Sequence, residues 1–150
     1  MRRIFLLFLA AFAIVSCGVE KAYGPLYYWG GSAGSASVYE DLTYNDYKKQ
    51  SPEALCKLVC AYEDMIKNPG GSRQIPPPGI CAEYGYLLLQ PDTATKFIKT
   101  ATPTQMAVFG SVTDFDAVFA EKGRALLEME IKYYPESATF ILPLLKRLSR

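Results

Sequence analysis

Ser51-Pro52-Glu53-Ala54-Leu55-Cys56-Lys57-Leu58-Val59-Cys60-Ala61-Tyr62-Glu63-Asp64-Met65-Ile66-Lys67 is the stretch that decides the fold. Ser51 suits an N-cap, Pro52 the first helical position, and Glu53 the positive end of the helix dipole. Leu55, Leu58, Val59, Tyr62, Met65 and Ile66 then recur at three- and four-residue spacing. Lys57, Glu63, Asp64 and Lys67 take the other positions, so the pattern predicts an amphipathic helix with one buried face. Asn68-Pro69-Gly70-Gly71 ends it.

The same grammar continues on both sides. Upstream, Ser37-Val38-Tyr39-Glu40 fits a capping box and opens a helix to about Lys49, with Tyr39, Leu42 and Asp46 on one stripe. Downstream, Pro76-Pro77-Pro78-Gly79 leads into Ile80–Gln90, apolar nearly all round and therefore expected to be a central helix. Gly85 inside it costs about 1 kcal/mol relative to Ala, which implies a neighbouring helix that must come close. Residues 91–112 are less regular, with a short helical turn after Thr102-Pro103. Thr113-Asp114-Phe115-Asp116 caps a long helix whose stripe is Phe115, Val118, Phe119, Lys122, Leu126, Met129 and Tyr133. Ser137 is expected to cap a last helix, kinked at Pro143, bearing Phe140, Ile141, Leu144, Leu145 and Leu148. Lys146, Arg147 and Arg150 suit its negative end. Every element is helical, so the class is all-α.

The amino terminus carries a different message. Arg2 and Arg3 precede an uncharged apolar run, Ile4–Val15, too short to span a bilayer as a helix. Ile14-Val15-Ser16-Cys17 completes the pattern of a bacterial lipobox. Residues 1–16 are thus expected to be a lipoprotein signal peptide, with cleavage before Cys17 and lipidation of its sulfur and new amino group. Several acyl chains, palmitate among them, anchor stably where one binds only marginally. Gly18 stands where an Asp would retain a lipoprotein in the inner membrane, which favours the periplasmic face of the outer membrane. Residues 17–37, rich in Gly, Ser and Tyr, form a lipidated tether around Leu26-Tyr27-Tyr28-Trp29, and 38–150 form the helical domain.

Composition narrows the chemistry. Loss of Arg2 and Arg3 takes the formal charge from +1 to −1, which gives no electrostatic reason to bind nucleic acid. The chain has no histidine. Ser-His-Asp and Cys-His catalysis are excluded, and a metal site would need Cys or carboxylates alone. Glu83, Asp114, Asp116, Glu128 and Glu130 could supply a glycosidase-like pair, but none stands out from solvated helix faces. The expectation is a protein without catalytic residues, metal or cofactor.

Two groups remain as candidate sites. Tyr27, Tyr28 and Trp29 can form a platform for a protein partner or a sugar, or fold back and seal the helical core. Cys56, Cys60 and Cys81 can be buried thiols acting as small hydrophobes. In an antiparallel hairpin Cys81 comes nearer Cys60 than Cys56, so a Cys60–Cys81 disulfide is the alternative.

Leu26-Tyr27-Tyr28-Trp29-Gly30 shortly after a lipobox resembles the start of a family of short bacterial outer-membrane lipoproteins of unknown function. The family's C-terminal part is similar to a tetratricopeptide repeat. Here that part is Pro77-Pro78-Gly79, Ala82–Leu89, Leu126–Glu130, Tyr134-Pro135-Glu136-Ser137 and Phe140 into Leu144–Leu148. A repeat unit is about 34 residues, and Gly85 to Pro135 exceeds this, with 91–114 reading as an insertion. The resemblance implies a periplasm-facing adaptor in an envelope complex, beside a lipoprotein of the curli-secretion-channel type and another small lipoprotein. An aromatic binder of peptidoglycan or polysaccharide is the alternative.

Overall fold

The computed structural model describes residues 24–31, 38–49 and 51–148. The signal segment, Cys17 and the Ser37 cap lie outside them. Among the described residues there are seven α-helices and no strand: α1 (Val38–Lys49), α2 (Pro52–Lys67), α3 (Ile80–Leu88), α4 (Thr93–Thr100), α5 (Pro103–Ala107), α6 (Phe115–Tyr133) and α7 (Ala138–Leu148). A 3-10 turn, Pro135–Ser137, leads into α7.

The start of α2 is built as its sequence dictates. The Ser51 hydroxyl accepts the Ala54 N–H at 3.1 Å, Pro52 opens the helix, and the Asn68 N–H closes it onto the Asp64 carbonyl. Asp114 caps α6 through the Ala117 N–H at 3.0 Å. Thr102 and Gln105 form a reciprocal capping box on α5.

The core joins Leu58, Val59, Tyr62 and Met65 of α2 to Ile80, Cys81, Tyr84 and Leu88 of α3 and to Phe119 and Leu126 of α6. α3 and α6 make the closest approach, and two glycines permit it. A Cβ on Gly85 would lie 2.7 Å from the Gly123 carbonyl oxygen, and one on Gly123 would lie 2.9 Å from the Gly85 carbonyl oxygen. Backbone therefore packs on backbone, and the helix-propensity cost of both glycines is outweighed by contact.

Three expectations need correction. Residues 93–100 are helical, not irregular, and Phe97 of α4 is fully buried. Phe97 meets Phe109, Phe115 and Phe119 at centroid distances of 5.5, 5.6 and 5.5 Å. Three threonines in Thr93–Thr100 weaken local propensity, so tertiary packing holds this short helix. Second, α3 is central, with Ile80, Cys81, Tyr84 and Leu88 in the core, but it is not covered on every side: Tyr86 is 54% exposed and Glu83 is exposed. Third, Ser137 does not cap α7. Its hydroxyl donates back to the Tyr134 carbonyl at 2.7 Å. α7 itself runs through Pro143.

Gly85→Ala tests the crossing. Helix propensity alone would stabilise by about 1 kcal/mol, whereas forcing a methyl group into backbone should cost about 1–3 kcal/mol net. Urea unfolding should show the loss; a more stable variant would mean that α3 and α6 are not pressed together at Gly85.

Candidate functional site

At the centre of the domain lies a carboxylate that spacing alone assigns to solvent. Glu63 is fully buried. Its Oε1 accepts the Tyr84 hydroxyl at 2.6 Å and pairs with Lys122 Nζ at 2.7 Å. Its Oε2 has Lys67 Nζ at 3.0 Å but no well-aligned hydrogen bond. Lys67 also donates to the Val108 carbonyl, and Lys122 lies over the Phe109 ring. Burial alone would raise the Glu63 pKa, but Lys122, Tyr84 and Lys67 together hold it below the usual carboxylate range. Burial, with the adjacent Glu63 charge, pushes Tyr84 well above the ordinary phenol value. The sequence carried one trace of this centre. Lys122 sits on the apolar stripe of α6, and a cation there needs an acidic partner.

Glu130 is spent in a second buried role. Gly79, at φ +88°, offers α3 no side-chain cap. Glu130 of α6 supplies one from a distance: its Oε1 accepts the Gly79 N–H at 2.8 Å and its Oε2 the Ala82 N–H at 3.3 Å. A negative side chain at a helix N-terminus is favourable both as acceptor and through the dipole.

The aromatic segment lies on the domain. Ser72 and Arg73 donate their N–H groups to the Pro25 and Leu26 carbonyls, each at 3.1 Å. Gly71, at φ +72°, allows this, since a Cβ there would fall 2.5 Å from the Leu26 carbonyl oxygen. The Tyr28 hydroxyl donates to Asp64 Oδ2 at 2.8 Å. Tyr27 packs edge-on to Tyr134 at 6.5 Å, below the Arg73 guanidinium. Trp29 turns the other way, onto Tyr39 at 5.8 Å, and begins a run of rings through Tyr62 to Tyr84. The three candidate residues thus do not form one platform. Tyr27 and Tyr28 are half-buried, and Trp29 keeps 38% of its surface exposed.

Cys56, Cys60 and Cys81 are free thiols, so the structure forms no Cys60–Cys81 bond. Burial and the nearby Glu130 push the Cys81 thiol up to about 12. Burial also raises Cys56 and Cys60, the latter further through Glu63. Raised thiols are poor nucleophiles.

A surface groove completes the picture, and nothing in the sequence announces it. Two hollows of about 340 and 360 Å³ share Leu87 and Gln90 as walls. The first is apolar, with Leu58, Tyr62 and Tyr86 around Glu83. The second lies at the start of α2 and is flanked by Ser51, Asp92 and Lys96. Glu83 Oε2 accepts the Tyr39 hydroxyl at 2.6 Å and the Tyr62 hydroxyl at 3.1 Å, joining α1, α2 and α3 beneath the groove. Burial and this carboxylate raise the Tyr39 pKa.

The other acidic candidates are dispersed: Asp114 caps α6, while Asp116 and Glu128 are exposed on it. Among the described residues no three His, Cys, Asp or Glu side chains gather as metal ligands, and no helix is long and apolar enough to cross a membrane. Comparison of the chain with protein families, curated proteins and solved structures finds no match.

The Glu63 centre makes a pH prediction. A carboxylate whose pKa is depressed by folding contributes stability above the ordinary carboxylate range, and loses it as pH falls through the depressed value. Glu63→Gln leaves Lys122 without its counter-charge. It should cost about 3 kcal/mol at neutral pH, the low end for breaking a buried pair because both lysines reach water. Denaturant unfolding at several pH values should show the gap closing in acid; a gap independent of pH would assign the effect to packing.

Proposed function

We propose that the chain is a lipid-anchored, periplasm-facing adaptor of the bacterial envelope, presenting a groove on tetratricopeptide-like helical hairpins to another envelope protein. The observation that carries this reading is the arrangement of groove and aromatic segment along α2. One hollow of the groove opens at Ser51, Pro52 and Leu55, whereas residues 25–28 are held at the other end of α2, by Asp64 and the 70–73 loop, and Trp29 reaches Tyr39 beside the other hollow. α2 has 16 residues, about 24 Å of helix. The hollow at Ser51 is therefore separated from the held segment, which leaves that part of the groove accessible in an adaptor on a membrane. Cys17 is the lipidation site, and Gly18 after it favours the outer membrane. The leading partner is an envelope complex, with a lipoprotein of the curli-secretion-channel type as one member that the family resemblance implies. No catalytic residue, metal or cofactor forms part of this reading.

A second reading, peptidoglycan or polysaccharide binding through Tyr27, Tyr28 and Trp29, draws on the exposed fraction of Trp29. The two separate by substitution. Tyr86 is 54% exposed in the groove, so Tyr86→Ala should leave the melting temperature unchanged. Partner affinity should fall by about 2 kcal/mol, roughly 30-fold. Affinity can be measured on the complex recovered by gentle detergent extraction and crosslinking. Unchanged partner binding in Tyr86→Ala, with loss of cell-wall retention in Trp29→Ala, would favour the second reading. A mature protein without acyl mass on Cys17 would remove the anchor from both.

A further inference from the structure

The last helix presents a face that the domain does not cover. Ile141 of α7 is buried and Leu144, Leu145 and Leu148 are half-buried, so one side of the helix faces the domain. The Arg124 guanidinium holds its far end by donating to the Leu148 carbonyl at 3.2 Å. The outer side is held in place and is mixed in character: Phe140, 81% exposed, and Leu142, 56% exposed, flank it, with Thr139, Pro143, Lys146 and Arg147 exposed between them. A helix ending an array needs a polar outer face if water is all it meets. Here two large apolar side chains share that face with Lys146 and Arg147 of the last turn. Apolar side chains with a neighbouring basic turn suit the headgroup boundary of a phospholipid leaflet. There the apolar groups enter and the cations meet phosphates.

The position of this helix selects a lipid surface as its occupant. Tyr27 packs on Tyr134, which lies immediately before the 3-10 turn that starts α7. The described part of the N-terminal segment therefore touches the domain at Tyr134, four residues before α7 begins. Seven residue steps separate Cys17 from Gly24, a reach of at most about 25 Å even when fully extended. An acyl chain on Cys17 thus brings the bilayer within a short distance of α7. We propose that the outer face of α7, through Phe140 and Leu142 with Lys146 and Arg147, docks on the phospholipid leaflet that holds the anchor. This rests on the lipid-anchor reading above and adds to it a second, non-covalent contact that restricts how the domain stands on the membrane.

The test uses the acylated chain with Trp29→Phe and Phe140→Trp, so that the sole indole reports on α7. It is reconstituted into phosphatidylethanolamine–phosphatidylglycerol vesicles, with and without brominated acyl chains. Docking predicts a blue shift on reconstitution and loss of most of the emission with the brominated lipid. Hydrogen exchange on the wild-type chain gives a readout independent of substitution: the α7 amides should slow on vesicles relative to detergent-free protein. Protein that floats with vesicles, yet shows an unquenched indole and unchanged α7 exchange, overturns docking and leaves the anchor standing. Wild-type protein recovered from its host without acyl mass on Cys17 overturns both. A blue shift that depends on protein concentration, and not on vesicles, overturns docking in favour of a second copy of the chain on this face.

Discussion

One buried carboxylate holds the helices in register. Glu63 lies on α2, receives its hydrogen bond from Tyr84 on α3, and takes its nearest counter-charge from Lys122 on α6. Through Lys67 it is tied to the Val108 carbonyl just after α5. Burying such a group is costly unless it is paired and hydrogen-bonded, and here three helices must be in place to supply the partners. The apolar contacts around it are less selective. Leucines on two helices pack in many registers, whereas only one brings Lys122 and Tyr84 to the same oxygen. The Gly85–Gly123 crossing depends on the same alignment, because two backbones that approach so closely leave no room for a shifted helix.

The parts of this fold legible in the sequence are those decided within one turn of chain. Ser51 before Pro52, and Asp114 before a long apolar stripe, mark helix starts because their oxygens need only a neighbouring N–H. Gly85 within an apolar helix signals a close neighbour because a glycine there is locally unfavourable. Interactions across the chain are not visible in this way. Glu130 looks like a solvated residue on α6, and its role as the cap of α3 exists only once Gly79 has been brought to it. α4 is missed for the opposite reason: its threonines argue against helix, and Phe97 settles the matter from a cage of three other phenylalanines. Tyr86 escaped as well, because an apolar ring within an apolar run gives no hint that it faces a groove.

The aromatic segment at residues 26–29 shows how one stretch can serve two ends. As a tether it would need only Gly and Ser. Its tyrosines instead attach to separate features of the domain, Tyr28 to Asp64 and Tyr27 to Tyr134, while the backbone pairs with the 72–73 loop. Each contact alone is modest, about 1 kcal/mol for a net hydrogen bond. Together they fix where the chain leaves the domain. Gly71 is the permissive element, since any side chain at that position would strike the Leu26 carbonyl.

On the lipid-anchor proposal, that fixed exit changes what a leash from Cys17 could do. If all of residues 17–37 were free, their twenty steps would let the domain explore a wide volume, because the reach of a flexible chain grows with the square root of its length (roughly 5–6 Å times that root). With the carbonyls of residues 25 and 26 bonded to the 72–73 loop, an anchor at Cys17 would be seven steps from Gly24, the first described residue. A short leash raises the effective concentration of membrane at nearby surfaces. If the anchor proposed at Cys17 is present, a weak apolar face near that exit would meet a bilayer it would ignore from solution. The hollow at Ser51, at the start of α2, would be farther from that bilayer than the hollow at Tyr62 and Glu83. On the proposed anchor at Cys17, the aromatic contacts would set how far the domain stands from the lipid and so which of its surfaces could meet a membrane.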